Sequence, residues 1–103
     1  MIQQIILYRK LFWKDEKDIE KTRERIEKLI SMLQEIPQED FTAEKIKEAI
    51  WDYATEEGRG NVLWPMRYAL SGRDKSPDPF LLVEIFGKKE TVERLQIAVK
   101  KLN

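Results

Sequence analysis

Apolar residues recur along most of the chain at spacings of three and four, a pattern that predicts amphipathic helices and no strands. The first run extends from Ile2 to about Trp13, and a charged stretch, residues 14–18, follows it. The second run begins at Ile19 and ends before Pro37, which cannot continue a helix. The apolar positions expected on the buried face of this second helix are Ile19, Ile26, Leu29, Ile30, Leu33 and Ile36.

The third predicted helix has clear signals at both ends. Thr42 is placed to accept hydrogen bonds from the free N–H groups of the first turn, and Phe41 and Ile46 have the spacing of a hydrophobic staple. Gly58 ends the helix, because glycine adopts positive φ at little cost. The residues expected to share its buried face are Ile46, Ala49, Ile50, Tyr53 and Ala54.

Proline and glycine define the fourth predicted helix. Residues 58–61 read as a flexible turn, and Pro65 favours a first-turn position because it has no N–H to donate. The sequence therefore predicts a short helix that opens between Asn61 and Trp64 and closes at Gly72. Residues 73–78 form the loop that follows.

Two more helices complete the chain. Asp78 caps and Pro79 starts an apolar helix that runs to Phe86 and stops at Gly87, and we expect it to be the buried centre. The final helix carries one apolar stripe. The result is an all-α fold, a small bundle of about six short helices in one domain that covers residues 1–103. The stripe residues are Val92, Leu95, Val99 and Leu102.

Composition excludes most catalytic chemistry. The chain has no Cys and no His, so it offers no thiolate nucleophile, no imidazole and no zinc site built on those ligands. Neighbouring carboxylates such as Glu56 and Glu57 point apart on a helix, so we interpret them as solvated surface. No catalytic residue and no metal site are predicted, and a small autonomous enzyme is the least favoured interpretation.

Net charge is zero, with 19 basic and 19 acidic residues, but the charge is unevenly distributed. Residues 14–57 hold eight cations and fourteen carboxylates, whereas residues 58–76 hold four cations and one carboxylate. The second segment is the best candidate for contact with a phosphate backbone, although an ordinary charged surface is the alternative. Its cations are Arg59, Arg67, Arg73 and Lys75.

Ordered motifs in the second half of the chain resemble a known family. They are residues 62–72 (VLWPMRYALSG), residues 76–80 (SPDPF) and residues 84–88 (EIFGK), followed by a basic amphipathic helix. Together with the segments at 11–14 and 41–44, they are similar to the C-terminal anticodon-binding domain of bacterial-type glutamyl-tRNA synthetases, class I enzymes. The resemblance covers roughly residues 11–102.

The resemblance implies a module that contacts the anticodon loop of glutamate tRNA. Its partners would be that tRNA and the remainder of the synthetase, and the chain would be monomeric and cytoplasmic. ATP-dependent aminoacylation would occur in a separate catalytic domain, so this chain would hold no cofactor and would not be an enzyme by itself.

Individual roles follow from the same resemblance. Arg67 would reach the first anticodon base, and a planar guanidinium suits contacts to both base and phosphate. Ser76 and Pro77 would present a rigid bend to unstacked bases, and Pro79 would lie beside them. Asp78 stands where the family typically has glycine, and we expect it to cap its own helix.

The residues leave alternatives open. Arg67 could pair only with Glu84, and Ser76–Pro77 could be a plain turn. Trp51 and Trp64 are assigned to packing before base stacking, because tryptophan buries much apolar area in small domains. A second function also stays open, a protein-interaction module that keeps the fold and docks a partner on the stripe of the last helix.

Overall fold

The computed structural model describes residues 19–72 and 77–102, which fold into four α-helices and one 3-10 turn. The helices are α1 (Ile19–Gln34), α2 (Ala43–Glu57), α3 (Arg59–Ser71) and α4 (Pro79–Leu102), and the turn is Gln38–Asp40. These residues contain no strand, which confirms the all-α prediction. The predicted first helix, residues 2–13, lies outside the described residues.

Side-chain caps start two of the helices, as the sequence predicts. The Thr42 hydroxyl accepts a hydrogen bond of 3.3 Å from Lys45 N–H at the start of α2. The Asp78 carboxylate accepts one of 2.9 Å from Leu81 N–H at the start of α4. Each cap satisfies an N–H group that has no partner within the helix, so these polar residues fix where α2 and α4 begin.

The junction between α2 and α3 corrects one prediction. Gly58, at φ 96°, ends α2, and α3 begins at the very next residue instead of between Asn61 and Trp64. Residues 58–61 are therefore no flexible turn. Pro65 lies in the interior of α3, where it removes one backbone hydrogen bond. The Pro65 ring is buried, and the burial of this apolar surface offsets the free-energy cost of a proline inside a helix. The prediction of a first-turn position considered only that cost.

Glycine also shapes α4, which is continuous except at Gly87. This residue has φ 82° and ψ 174°, so the fifth and sixth predicted helices are the two segments of α4 on either side of a kink. A Cβ at Gly87 would meet no atom within 4 Å, so there is space for a side chain. Glycine is favoured here because of the positive φ.

All four helices contribute to one hydrophobic core. The stripe of the last helix is part of it, because Leu95 and Leu102 are buried against the other helices. That burial removes the basis for docking a protein partner on the stripe. Fully buried members of the core include Ile26, Leu29, Leu33, Ile46, Ile50, Val62, Met66, Leu70, Val83 and Leu95.

One predicted core position and the expected full burial of one helix are wrong. Ala49 of α2 is exposed, because the buried face of α2 is narrower than predicted. The first segment of α4 is buried on one face only, since Leu81 and Ile85 are 40% and 63% exposed.

None of the helices within residues 19–72 and 77–102 is long and apolar enough to cross a membrane.

Polar contacts between helices lock the bundle. Glu84 of α4 accepts a hydrogen bond of 2.7 Å from Ala43 N–H, the first residue of α2. Arg94 of α4 donates to the Leu70 carbonyl at 2.6 Å, near the end of α3. These contacts hold the N-terminus of α2 and the C-terminus of α3 against α4, and so fix the orientation of the surface that carries the candidate site.

Candidate nucleic-acid interface

Arg67 lies on α3, half-buried, with its guanidinium carbon 5.1 Å from the centre of the Trp64 ring. The two residues are three positions apart, so the helix itself brings them together. Contact with the indole face restricts the long arginine side chain and leaves it few rotamers to lose on binding. The arrangement presents an oriented, planar set of donors at the surface.

Arg59 is the first residue of α3 and is exposed. Its guanidinium carbon lies 5.1 Å from the centre of the Trp51 ring, on α2. Arg59 precedes Arg67 by eight residues, which is about 12 Å along a helix axis. Both cations of the predicted footprint that lie in the described residues are therefore on one helix, and each lies against a tryptophan.

Trp51 connects three helices at this surface. It is half-buried and packs against the core, in a tilted contact with Phe80 of α4 at 6.3 Å between ring centres. The Lys47 ammonium also lies 4.9 Å from the centre of its ring. The packing role predicted for Trp51 is confirmed, but sequence reasoning missed Lys47. The four-residue spacing of Lys47 and Trp51 on one helix was the available signal.

The loop before α4 is described only at its end. Arg73, Lys75 and Ser76 lie outside the described residues, and Pro77 is exposed. Pro79 is buried in the first turn of α4, so little of its ring is exposed in this structure. Its placement beside RNA stays a prediction.

Carboxylates near this surface are occupied by backbone N–H groups. Asp78 caps its own helix, as expected where the family typically has glycine. Glu84, the alternative partner for Arg67, holds Ala43 N–H. These hydrogen bonds fix the two carboxylates at helix N-termini, where the helix dipole favours a negative charge. The arrangement suits binding of phosphates and flat bases and offers no nucleophile.

Known proteins are similar to this chain over almost its whole length. The profile of a family described as anticodon binding domain matches residues 3–99. A glutamate–tRNA ligase of Flavobacterium johnsoniae is 41% identical over 92 residues, which are 87% of this chain and 17% of the ligase. That of Clostridium tetani is 35% identical over 88 residues, 82% of this chain and 18% of the ligase.

The chain thus spans less than a fifth of the curated relatives that it matches. No solved structure matches it. The residues matched by the family profile include the motifs at 62–72 and 76–80 and helix α3, which carries Arg59 and Arg67. Together with the ligase relatives, this match confirms the resemblance to glutamyl-tRNA synthetases. By this match, the chain belongs to the anticodon binding domain family.

Proposed function

We propose that this chain binds the anticodon loop of glutamate tRNA as part of a glutamate–tRNA ligase. Its role is to position the tRNA for ATP-dependent aminoacylation in a catalytic domain elsewhere in the ligase. The observation that carries the proposal is the Arg67–Trp64 pair on α3, an oriented guanidinium within the residues that the anticodon binding domain profile matches.

Arg67 reads the first anticodon base in this proposal. A planar guanidinium donates two parallel hydrogen bonds to base and phosphate acceptors, and it also stacks on flat rings. The Trp64 ring supports it from one side, so ordering costs little when RNA binds. Pro77, which is exposed, and Ser76 are the residues assigned to contact unstacked bases.

In this proposal, the remainder of the ligase catalyses the aminoacylation reaction. The chain has neither His nor Cys, and its role in the proposal is recognition without a cofactor of its own. It works as a monomer attached to the rest of the synthetase in the cytoplasm. Cations outside the described residues, Arg73 and Lys75, add contacts to the RNA backbone that do not depend on base identity.

The test is a fluorescence anisotropy titration of the 103-residue chain with a labelled anticodon stem-loop of glutamate tRNA. Arg67→Ala should weaken binding by about 1–3 kcal/mol and reduce discrimination against a changed first anticodon base. Lys101→Ala is the matched control, because Lys101 is exposed in the last turn of α4, at the opposite end of that helix from Phe80.

Arg67→Lys separates geometry from charge. Lysine keeps the positive charge but loses the planar fork, so base discrimination should fall while the salt dependence of binding stays the same. Equal affinity of the parent chain and Arg67→Ala for both RNAs would show that Arg67 has no such role.

A further inference from the structure

The Trp51 ring marks a place where the surfaces of three helices meet. Lys47 comes from α2, Arg59 from the start of α3, and Phe80 from the first turn of α4. Because both cationic groups lie about 5 Å from one ring centre, they are at most about 10 Å apart. We name Lys47, Trp51 and Arg59 the indole cluster.

The two cations of the indole cluster are not neutralised by acids. Within residues 19–72 and 77–102, no carboxylate lies within ion-pair distance of Lys47 or Arg59. Glu48 lies three positions before Trp51, so a carboxylate flanks the indole on α2, but it forms no ion pair with Lys47. The indole cluster therefore holds two cations that no described carboxylate pairs with, beside a segment that is acidic overall.

The indole cluster adjoins the surface assigned to the anticodon loop. Phe80, which contacts Trp51, is only three residues after exposed Pro77. Arg59 begins the helix that carries Arg67. An RNA strand that contacts Arg67 and Pro77 has the indole cluster next to its path.

We propose that Lys47 and Arg59 bind phosphates of the tRNA strand beside the anticodon, and that Trp51 is the positioning residue that holds both cations toward that strand. This inference rests on the proposed function. A phosphate backbone is favoured over a base, because the Trp51 ring is already in contact with two cations and with Phe80. An ammonium is a point charge that suits phosphate oxygens and reads no base pattern.

The experiment measures affinity of the 103-residue chain for the anticodon stem-loop across a series of salt concentrations. Lys47→Ala and Arg59→Ala should each make the slope of log affinity against log salt shallower by about 0.7. When the salt is lowered from 1 M to 50 mM, the affinity of each variant should therefore rise about eightfold less than the affinity of the parent chain. The loss should be equal for RNAs with the glutamate anticodon and with a changed first base.

Lys45→Ala is the matched control on the same helix. Its ammonium is held by Asp40 at 2.9 Å, and Lys45 lies two positions from Lys47, about 200° around α2. The slope should stay unchanged in this variant. Trp51→Phe, checked for folding by thermal unfolding, should reduce the slope by less than either cation variant, because a smaller ring holds both cations less firmly.

The outcomes separate this inference from the proposed function. If Arg67→Ala weakens binding while Lys47→Ala and Arg59→Ala leave affinity and slope unchanged, the indole cluster has no phosphate role and the proposed function stands. If either cation variant changes base discrimination, the assignment to the backbone is wrong. If the parent chain does not bind the stem-loop, both proposals fail.

Discussion

Two groups of cationic side chains in this bundle are held in different ways. Arg94 is 12% exposed in its side chain and is bound by Glu90 at 2.8 Å and by the Leu70 carbonyl at 2.6 Å. Arg25 is similarly buried and contacts Glu57 at 3.3 Å. In these cases an oxygen of the protein occupies guanidinium donors, so the charge contributes to folding.

The cations on the proposed RNA surface contact aromatic rings. Arg67 lies against Trp64, and Lys47 and Arg59 lie against Trp51. An indole face attracts a cation through its π electrons and accepts none of its in-plane N–H bonds, and no carboxylate of residues 19–72 and 77–102 lies within ion-pair distance of Lys47 or Arg59. Arg94 also lies over an aromatic ring, 4.0 Å from the centre of Phe86, so contact with a ring does not by itself separate the two groups. The comparison teaches that a bound protein oxygen, present for Arg94 and Arg25, marks the cation that contributes to folding.

Arg94→Met should show the largest effect on stability. Methionine keeps much of the apolar stem but removes the part-buried hydrogen bonds that Arg94 donates to Glu90 and to the Leu70 carbonyl. We expect a loss of about 3 kcal/mol in the free energy of unfolding, measured by urea denaturation. A loss below about 1 kcal/mol would mean that the bound group of cations contributes no more to folding than the indole-held group.

Lys88→Ala should have a smaller effect in the same direction. The Lys88 ammonium donates to the Gln34 carbonyl, the last residue of α1, at 2.8 Å. Removing a cation from a helix C-terminus should cost about 1 kcal/mol, again in urea denaturation. Lys89→Ala, an exposed neighbour on α4, is the control and should unfold like the parent chain.

Lys47→Ala and Arg59→Ala should change stability less than either. Exposed cation–π contacts contribute about 0.5–1 kcal/mol, and the core residues beneath them stay in place. The free energies of unfolding of these variants should stay within about 1 kcal/mol of the parent value in urea denaturation, although their RNA affinity drops. If either unfolds as readily as Arg94→Met, the division between the two groups of cations is wrong.

The sequence predicts the features of this fold that depend on neighbouring residues. Thr42 and Asp78 cap helices, and Gly58 and Gly87 interrupt them, because each effect acts within one turn of the chain. The position of Pro65 inside α3 could not be predicted in this way, because it depends on burial of the ring in the packed structure.

The candidate site shows the same division. The Arg67–Trp64 pair is local and could be located from a motif. Contact of Arg59 with Trp51 joins two helices, and contact of Trp51 with Phe80 spans 29 positions, so neither follows from spacing along one helix. The burial of Pro79 likewise depends on the packed structure and does not follow from its place in the sequence.

The smallest expected effect concerns Tyr53, which lines a cleft with Arg25 and Glu57. Burial raises the pKa of Tyr53 above its ordinary 10.0, nearby Glu57 raises it further, and Arg25 opposes them. The native state therefore keeps this proton at a pH where the unfolded chain has released it. Stability should be unaffected below pH 10.0 and should fall as pH rises from there through the pKa of the native state.

Urea denaturation at a series of pH values, with Tyr53→Phe as control, isolates this contribution. The phenylalanine variant cannot ionise, so its stability should decline less above pH 10.0 than that of the parent. Arg25→Met extends the comparison, because it removes the cation that favours tyrosinate and should raise the pKa of Tyr53 further. An equal decline in the parent and in Tyr53→Phe would show that Tyr53 has the same pKa in the native and unfolded states. The Arg25–Glu57 pair would then contribute to stability without changing the ionisation of Tyr53.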